Sequence, residues 1–126
     1  MDFVIPLTPV SKKNSQRFVK NKYTNRQYII PSAKFSEYEK SAALYVPRMP
    51  KPIKGPVNVK CLFYMPTRRL CDLTNMLEAI DDVMVKCGLI EDDNYRVIQS
   101  HDGSRVLYDK DNPRTEVFIE WTETSS

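Results

Sequence analysis

Asp72-Leu73-Thr74-Asn75-Met76-Leu77-Glu78-Ala79-Ile80-Asp81-Asp82-Val83-Met84-Val85-Lys86-Cys87-Gly88 is the most periodic stretch of the chain. Leu73, Met76, Leu77, Ile80, Val83, Met84 and Cys87 fall at a spacing near 3.6 residues and form one apolar stripe, as in a helix lying on a core. Asp72 stands where an N-cap belongs and Gly88 just past the end, so the spacing predicts a helix over about 73–87. Ahead of it, Val57, Val59, Cys61, Phe63 and Met65 alternate with Asn58, Lys60, Leu62 and Tyr64. That is a strand with one apolar face, ended by Pro66. Further upstream, Ser32 can cap a helix to about Val46, with Phe35, Tyr38, Ala42 and Tyr45 at helical spacing and Pro47, Pro50 and Pro52 as the stop. Shorter strands are expected at 3–7, 27–30, 95–100, 104–108 and 115–122, and a long basic loop at about 8–27. The order implies a single α+β domain over 1–126, a mixed β-sheet packed with two main helices at about 32–46 and 73–87.

The rest of the composition narrows the function. A chain of 126 residues, 41% apolar and 28% charged, can bury one core without metal or disulfide staples. No apolar run approaches the roughly 18 residues of a membrane helix. The start, Met1-Asp2-Phe3-Val4-Ile5-Pro6, lacks the basic and apolar regions of a signal peptide, so a cytoplasmic protein with no membrane partner is expected. Cys61, Cys71 and Cys87 are odd in number and form no Cys-x-x-Cys, which argues for reduced, packed thiols. His101 is the single histidine, which excludes a His-rich metal centre. Any Ser-His-Asp site would have to use it.

Charge is divided along the chain. Residues 1–60 carry twelve Lys/Arg against three Asp/Glu, and residues 61–126 carry seven against thirteen. Lys12, Lys13, Arg17, Lys20, Lys22, Arg26 and Lys34 lie in a stretch from 11 to 36 with no acidic residue. A solvated loop would share that composition, but Phe18, Tyr23 and Tyr28 interleave with the cations, as stacking and phosphate contact to nucleic acid require.

The acidic residues sit on and after the predicted helix. Thr74, Glu78 and Asp82 recur at four-residue intervals on one face, with Asn75 and Asp81 flanking and Asp72 at the start. Glu91-Asp92-Asp93-Asn94 follows closely enough to fold back. A wet acidic helix face would look the same. As ligands, carboxylates alone select hard ions such as Mg²⁺ or Mn²⁺.

Arg68-Arg69-Leu70-Cys71-Asp72-Leu73-Thr74-Asn75, the helix to Gly88 and the following Glu91-Asp92-Asp93 resemble the core signature of RusA-type Holliday junction resolvases: a basic run, D-L-D-N opening a helix, a glycine, then an acidic pair. Pro9-Val10-Ser11-Lys12-Lys13-Asn14-Ser15-Gln16-Arg17 is similar to the family's N-terminal basic loop, and Pro113-Arg114-Thr115-Glu116-Val117 to its closing strand, so the likeness covers nearly the whole chain. The resemblance implies a small homodimeric endodeoxyribonuclease, often phage- or prophage-encoded, that cuts four-way DNA junctions in recombination and repair with Mg²⁺, or Mn²⁺ as substitute. Carried over residue by residue, it makes Asp72 and Asp93 catalytic and metal-binding, Asp92 their acidic neighbour, and Arg68 and Arg69 DNA-binding. Lys12, Lys13, Asn14, Arg17, Lys20, Lys22 and Arg26 complete the expected DNA-binding set.

Two positions depart from the signature. Thr74 stands where the second motif aspartate belongs, and Glu78 where the family has a lysine. The first change removes a carboxylate, and Glu78, one turn on, can return that charge to the same face. The expected site is therefore Asp72, Glu78 and Asp93, with Asp82 and Asp92 as further metal-binding carboxylates. A weakened or inactive junction-binding relative, or a nuclease for another branched DNA, is the alternative that these departures leave open.

Overall fold

β4, Val57–Met65, is the central strand of the computed structural model, which describes residues 1–11, 16–20, 23–24, 27–31 and 33–122. Its alternation becomes two faces: Val57, Val59, Cys61 and Phe63 are buried, and Asn58, Lys60, Leu62 and Tyr64 are half-buried on the other side. β4 pairs antiparallel with β7 (Arg114–Trp121), setting Cys61 opposite Val117 and Val59 opposite Ile119. β1 (Asp2–Ile5) adds to the outer edge of β7, also antiparallel. On the other side of β4, β5 (Ile98–Ser100) runs parallel to its first residues and β6 (Arg105–Tyr108) to its last four. These five strands are the mixed sheet expected from the sequence.

Between β5 and β6 the ladder is broken, and side chains take over its polar groups. The Asn58 Oδ1 accepts from Ser100 Oγ at 2.6 Å and from the Asp102 N–H at 2.7 Å, while Ser104 Oγ accepts from the Cys61 N–H at 2.9 Å. The N–H of buried Cys61 thus stays paired where strand pairing lapses.

The helices cover the apolar face. α1 (Ala33–Ala42) continues as a 3₁₀ turn over Ala43–Tyr45, and α2 spans Leu73–Lys86. Tyr38 and Ala42 of α1 and Met76, Ile80, Val83 and Met84 of α2 share one core with Ile5, Val59, Phe63 and Val117. α2 ends in a Schellman motif. Gly88, at φ +76°, donates its N–H to the Val85 carbonyl, and Leu89 donates to that of Met84, both at 3.0 Å. The chain then pairs with Ile53: the Ile53 N–H reaches the Leu89 carbonyl at 2.8 Å, and the Glu91 N–H reaches the Ile53 carbonyl at 2.9 Å. This anchor fixes where the acidic tetrad begins.

One expectation changes. Within the span read as a basic loop, Gln16–Lys20 forms β2, which pairs antiparallel with β3 (Gln27–Pro31) as a separate two-stranded sheet. A five-residue Gln-Arg-Phe-Val-Lys segment carries too little apolar alternation to stand out, and its partner strand defines it. Ser32, the expected cap of α1, lies outside the described residues. Among the described residues, no helix is long and apolar enough to cross a membrane.

Candidate functional site

α2 carries most of the acidic residues, and its burial pattern sorts them. Asp72 holds extended backbone angles at the N-cap position, yet its carboxylate caps no backbone N–H. Instead Oδ2 accepts from the Asn75 side-chain amide at 3.2 Å, and Asn75 is itself buried. The Asp72 carboxylate is therefore held over the first turn and exposed, with capacity for further partners. Thr74 and Glu78 are exposed on the same helix, and Asp82 is half-buried.

Asp81 is the residue that helical spacing misjudges. Its position predicts the flank of a wet face, but it is 6% exposed and faces inward. Its carboxylate meets His101 Nε2, at 3.1 Å from Oδ1 and 3.0 Å from Oδ2. Burial pushes the Asp81 carboxyl above its ordinary range, the His101 hydrogen bond and charge pull it back, and the charges of Asp93 and Asp82 push it up again. A signal for this is present in the sequence: Leu77, Asp81 and Met84 lie at i, i+4 and i+7, so Asp81 shares a face with apolar neighbours. His101 leaves no such trace, because it follows a short strand and its partner is twenty residues away.

The acidic tetrad has a division of labour. Asp92 Oδ1 accepts the Asp93 N–H and Oδ2 accepts from the Asn94 amide, both at 2.8 Å. Those bonds shape the turn and hold the Asp92 carboxyl below its ordinary range. Asn94 in turn accepts the Arg96 N–H through its side chain at 2.9 Å, an Asx turn that leads into β5. The Asp93 carboxyl is raised, by desolvation first, then by the hydrogen bond and charge of Asp92 and by the charge of Asp82.

Asp81, Asp82 and Asp93 thus act on one another at the C-terminal half of α2. Asp82 lies ten residues beyond Asp72, about 15 Å along a helix that rises 1.5 Å per residue. Glu78 sits between them, one turn before Asp82. Among the described residues, no three His, Cys, Asp or Glu side chains gather closely enough to hold a metal ion. As donors the set is still all carboxylate oxygen, which suits a hard divalent cation.

The basic residues fall in two groups. Arg68 and Arg69 are exposed on the connection between β4 and α2, and the Arg68 guanidinium stacks over the Tyr108 ring at 4.4 Å from its centroid. Arg17 and Lys20 belong to β2. Lys12, Lys13, Asn14, Lys22 and Arg26 lie outside the described residues. On the open sheet face, Arg114 lies 3.7 Å over the Tyr64 ring and bonds Asp109 at 2.9 Å and Glu116 at 2.8 Å, which commits it to structure.

Against known proteins, residues 6–120 match the family model described as Endodeoxyribonuclease RusA. No curated relative matches the chain.

Proposed function

This chain belongs to the endodeoxyribonuclease RusA family, whose activity is directed at Holliday junctions, and on that premise we propose that it resolves four-way DNA junctions as a divalent-metal-dependent homodimer. The observation that carries the reading is that the match spans residues 6–120 and so includes the whole acidic set and the Arg68-Arg69 pair.

Asp72, Glu78, Asp82 and Asp93 would hold the metal, Mg²⁺ or Mn²⁺. When bound, such an ion polarises a scissile phosphate and lowers the pKa of an attacking water. The chain's own residues do the rest. Asp92 is committed to the turn and orients Asp93 rather than competing with it. Arg68 and Arg69 take phosphates beside Asp72, and the basic residues of the N-terminal segment extend that track without reading sequence. Asp81 and His101 hold the middle of α2 against the connection after β5. Glu78 supplies the charge that Thr74 lacks.

Because about 15 Å of helix lies between Asp72 and Asp82, one copy alone does not bring both ends of the set to one ion. A two-fold pair in which the Asp72 end of one copy meets the Asp93 end of the other supplies both. It also offers two sites to the two symmetric strands of a junction.

The test is cleavage of a labelled four-way junction in Mg²⁺ and Mn²⁺ beside matched duplex, flap and single strands, with Asp93→Asn in parallel. Paired symmetric nicks in the junction, absent with Asp93→Asn, are expected. Tight junction binding without nicks in either metal would replace this reading by a non-cleaving junction binder, which the Thr74 departure favours.

A further inference from the structure

A cleft of about 490 Å³ opens beside Asp72, between the segment after β1 and the connection from β4 to α2. This is within the size range of small-ligand sites, about 300–1,000 Å³. Val10, Met65 and Met76 supply apolar surface, with Met76 buried at its base. Lys34 and Arg69 stand exposed along it, and among the described residues no carboxylate lines it. Leu70, beside the cleft, is 97% exposed. A lone exposed leucine is ordinary. One that lines a cleft of mixed apolar and polar surface, whose charged lining residues among those described are Lys34 and Arg69, has a matching ligand: a flat ring with polar edges joined to an anion.

We infer that this cleft receives one nucleotide extruded from the branch point, its base over Met65 and Met76 and its phosphates on Lys34 and Arg69, while Leu70 enters the stack that the base has left. The inference deepens the proposed junction-cleaving function and rests on it. Three physical terms support it. Methionine sulfur packs favourably on aromatic rings. Leucine is among the side chains that proteins insert between base steps. Extrusion is costly from a stacked duplex and least so where pairing is already disrupted, so the same cleft discriminates a branch from continuous duplex. Cys71 lines the cleft and Asp72 follows it in the chain, so the phosphodiester adjoining the extruded nucleotide would lie near a proposed metal-binding carboxylate.

The experiment places 2-aminopurine in turn at each position around the branch of a four-way junction, without divalent metal so that strands stay whole. Binding of the full chain should raise fluorescence severalfold at one position and leave the matching duplex quenched. Thr8→Trp, which sets an indole into the cleft from an exposed lining position, should bind the junction and lose the rise. Leu70→Ala removes only exposed atoms and should reduce it. A bound junction with no rise at any position overturns the inference and leaves the proposed function standing. So does a rise that neither variant alters. A wild-type chain that binds no junction overturns both.

Discussion

The Asp81–His101 pair joins the middle of α2 to the connection after β5, and its two members make different demands on stability. The Asp81 carboxyl is raised in the folded chain, by burial first, so folding disfavours its ionised form relative to the unfolded chain. Its contribution is present below the ordinary carboxylate range and is lost as pH rises through the raised value. Near pH 7 the ionised group is a burden that His101 offsets. Asp81→Asn keeps the shape and a hydrogen-bond acceptor, and is expected to be at least as stable as the wild type near pH 7. That advantage should fade as acid protonates the native carboxyl. His101→Ala leaves the carboxylate buried without its partner and should cost about 1–3 kcal/mol. Urea unfolding of both variants across pH checks the order; an Asp81→Asn less stable than His101→Ala would contradict it.

Among the elements, α2 is ended by local chemistry, while the turn ahead of β4 is crowded by a contact from afar. Gly88 sits at φ +76° with no neighbour among the described residues within 4 Å of the place a Cβ would occupy, so Gly88→Ala meets the left-handed backbone penalty, about 1–2 kcal/mol. Gly55 has the same φ, but a Cβ there would stand 2.3 Å from the Val97 carbonyl oxygen. Gly55→Ala should add an overpacking term of about 1–3 kcal/mol, because backbone ahead of β5 must move. Denaturant melts that find the two substitutions equal would show that the Val97 approach relaxes freely. The same contrast explains what periodicity could reach. The stripe from Leu73 to Cys87 places α2 to within a residue, since each turn repeats the signal. β2 has five residues and one partner, and pairing rather than pattern makes it a strand.

For the whole molecule, the proposed site shared between two copies makes a sharp prediction. Asp72→Asn and Asp93→Asn should each be inactive on junctions. Mixed and allowed to exchange subunits, they should recover single-strand nicking. The heterodimer then holds one site in which both aspartates are native, contributed by different copies, and one in which both are lost. Sites built within one chain recover nothing, because every site would keep one asparagine. A gel assay of nicked against resolved product separates the two arrangements.

Residue identity and spacing by themselves determined the α+β class, the bounds of α2 and β4, the acidic set with its two departures at Thr74 and Glu78, and the family, because these are properties of short segments and their order. They left undecided which carboxylates meet. Only the tertiary structure paired Asp81 with His101, turned Asp92 into the scaffold of its own turn, and brought the Asp93 charge to bear on the far half of α2. Helical spacing reports the angle of a side chain about its own axis and the distance along it. The partner on the next element, and the water it displaces, follow from how the elements pack.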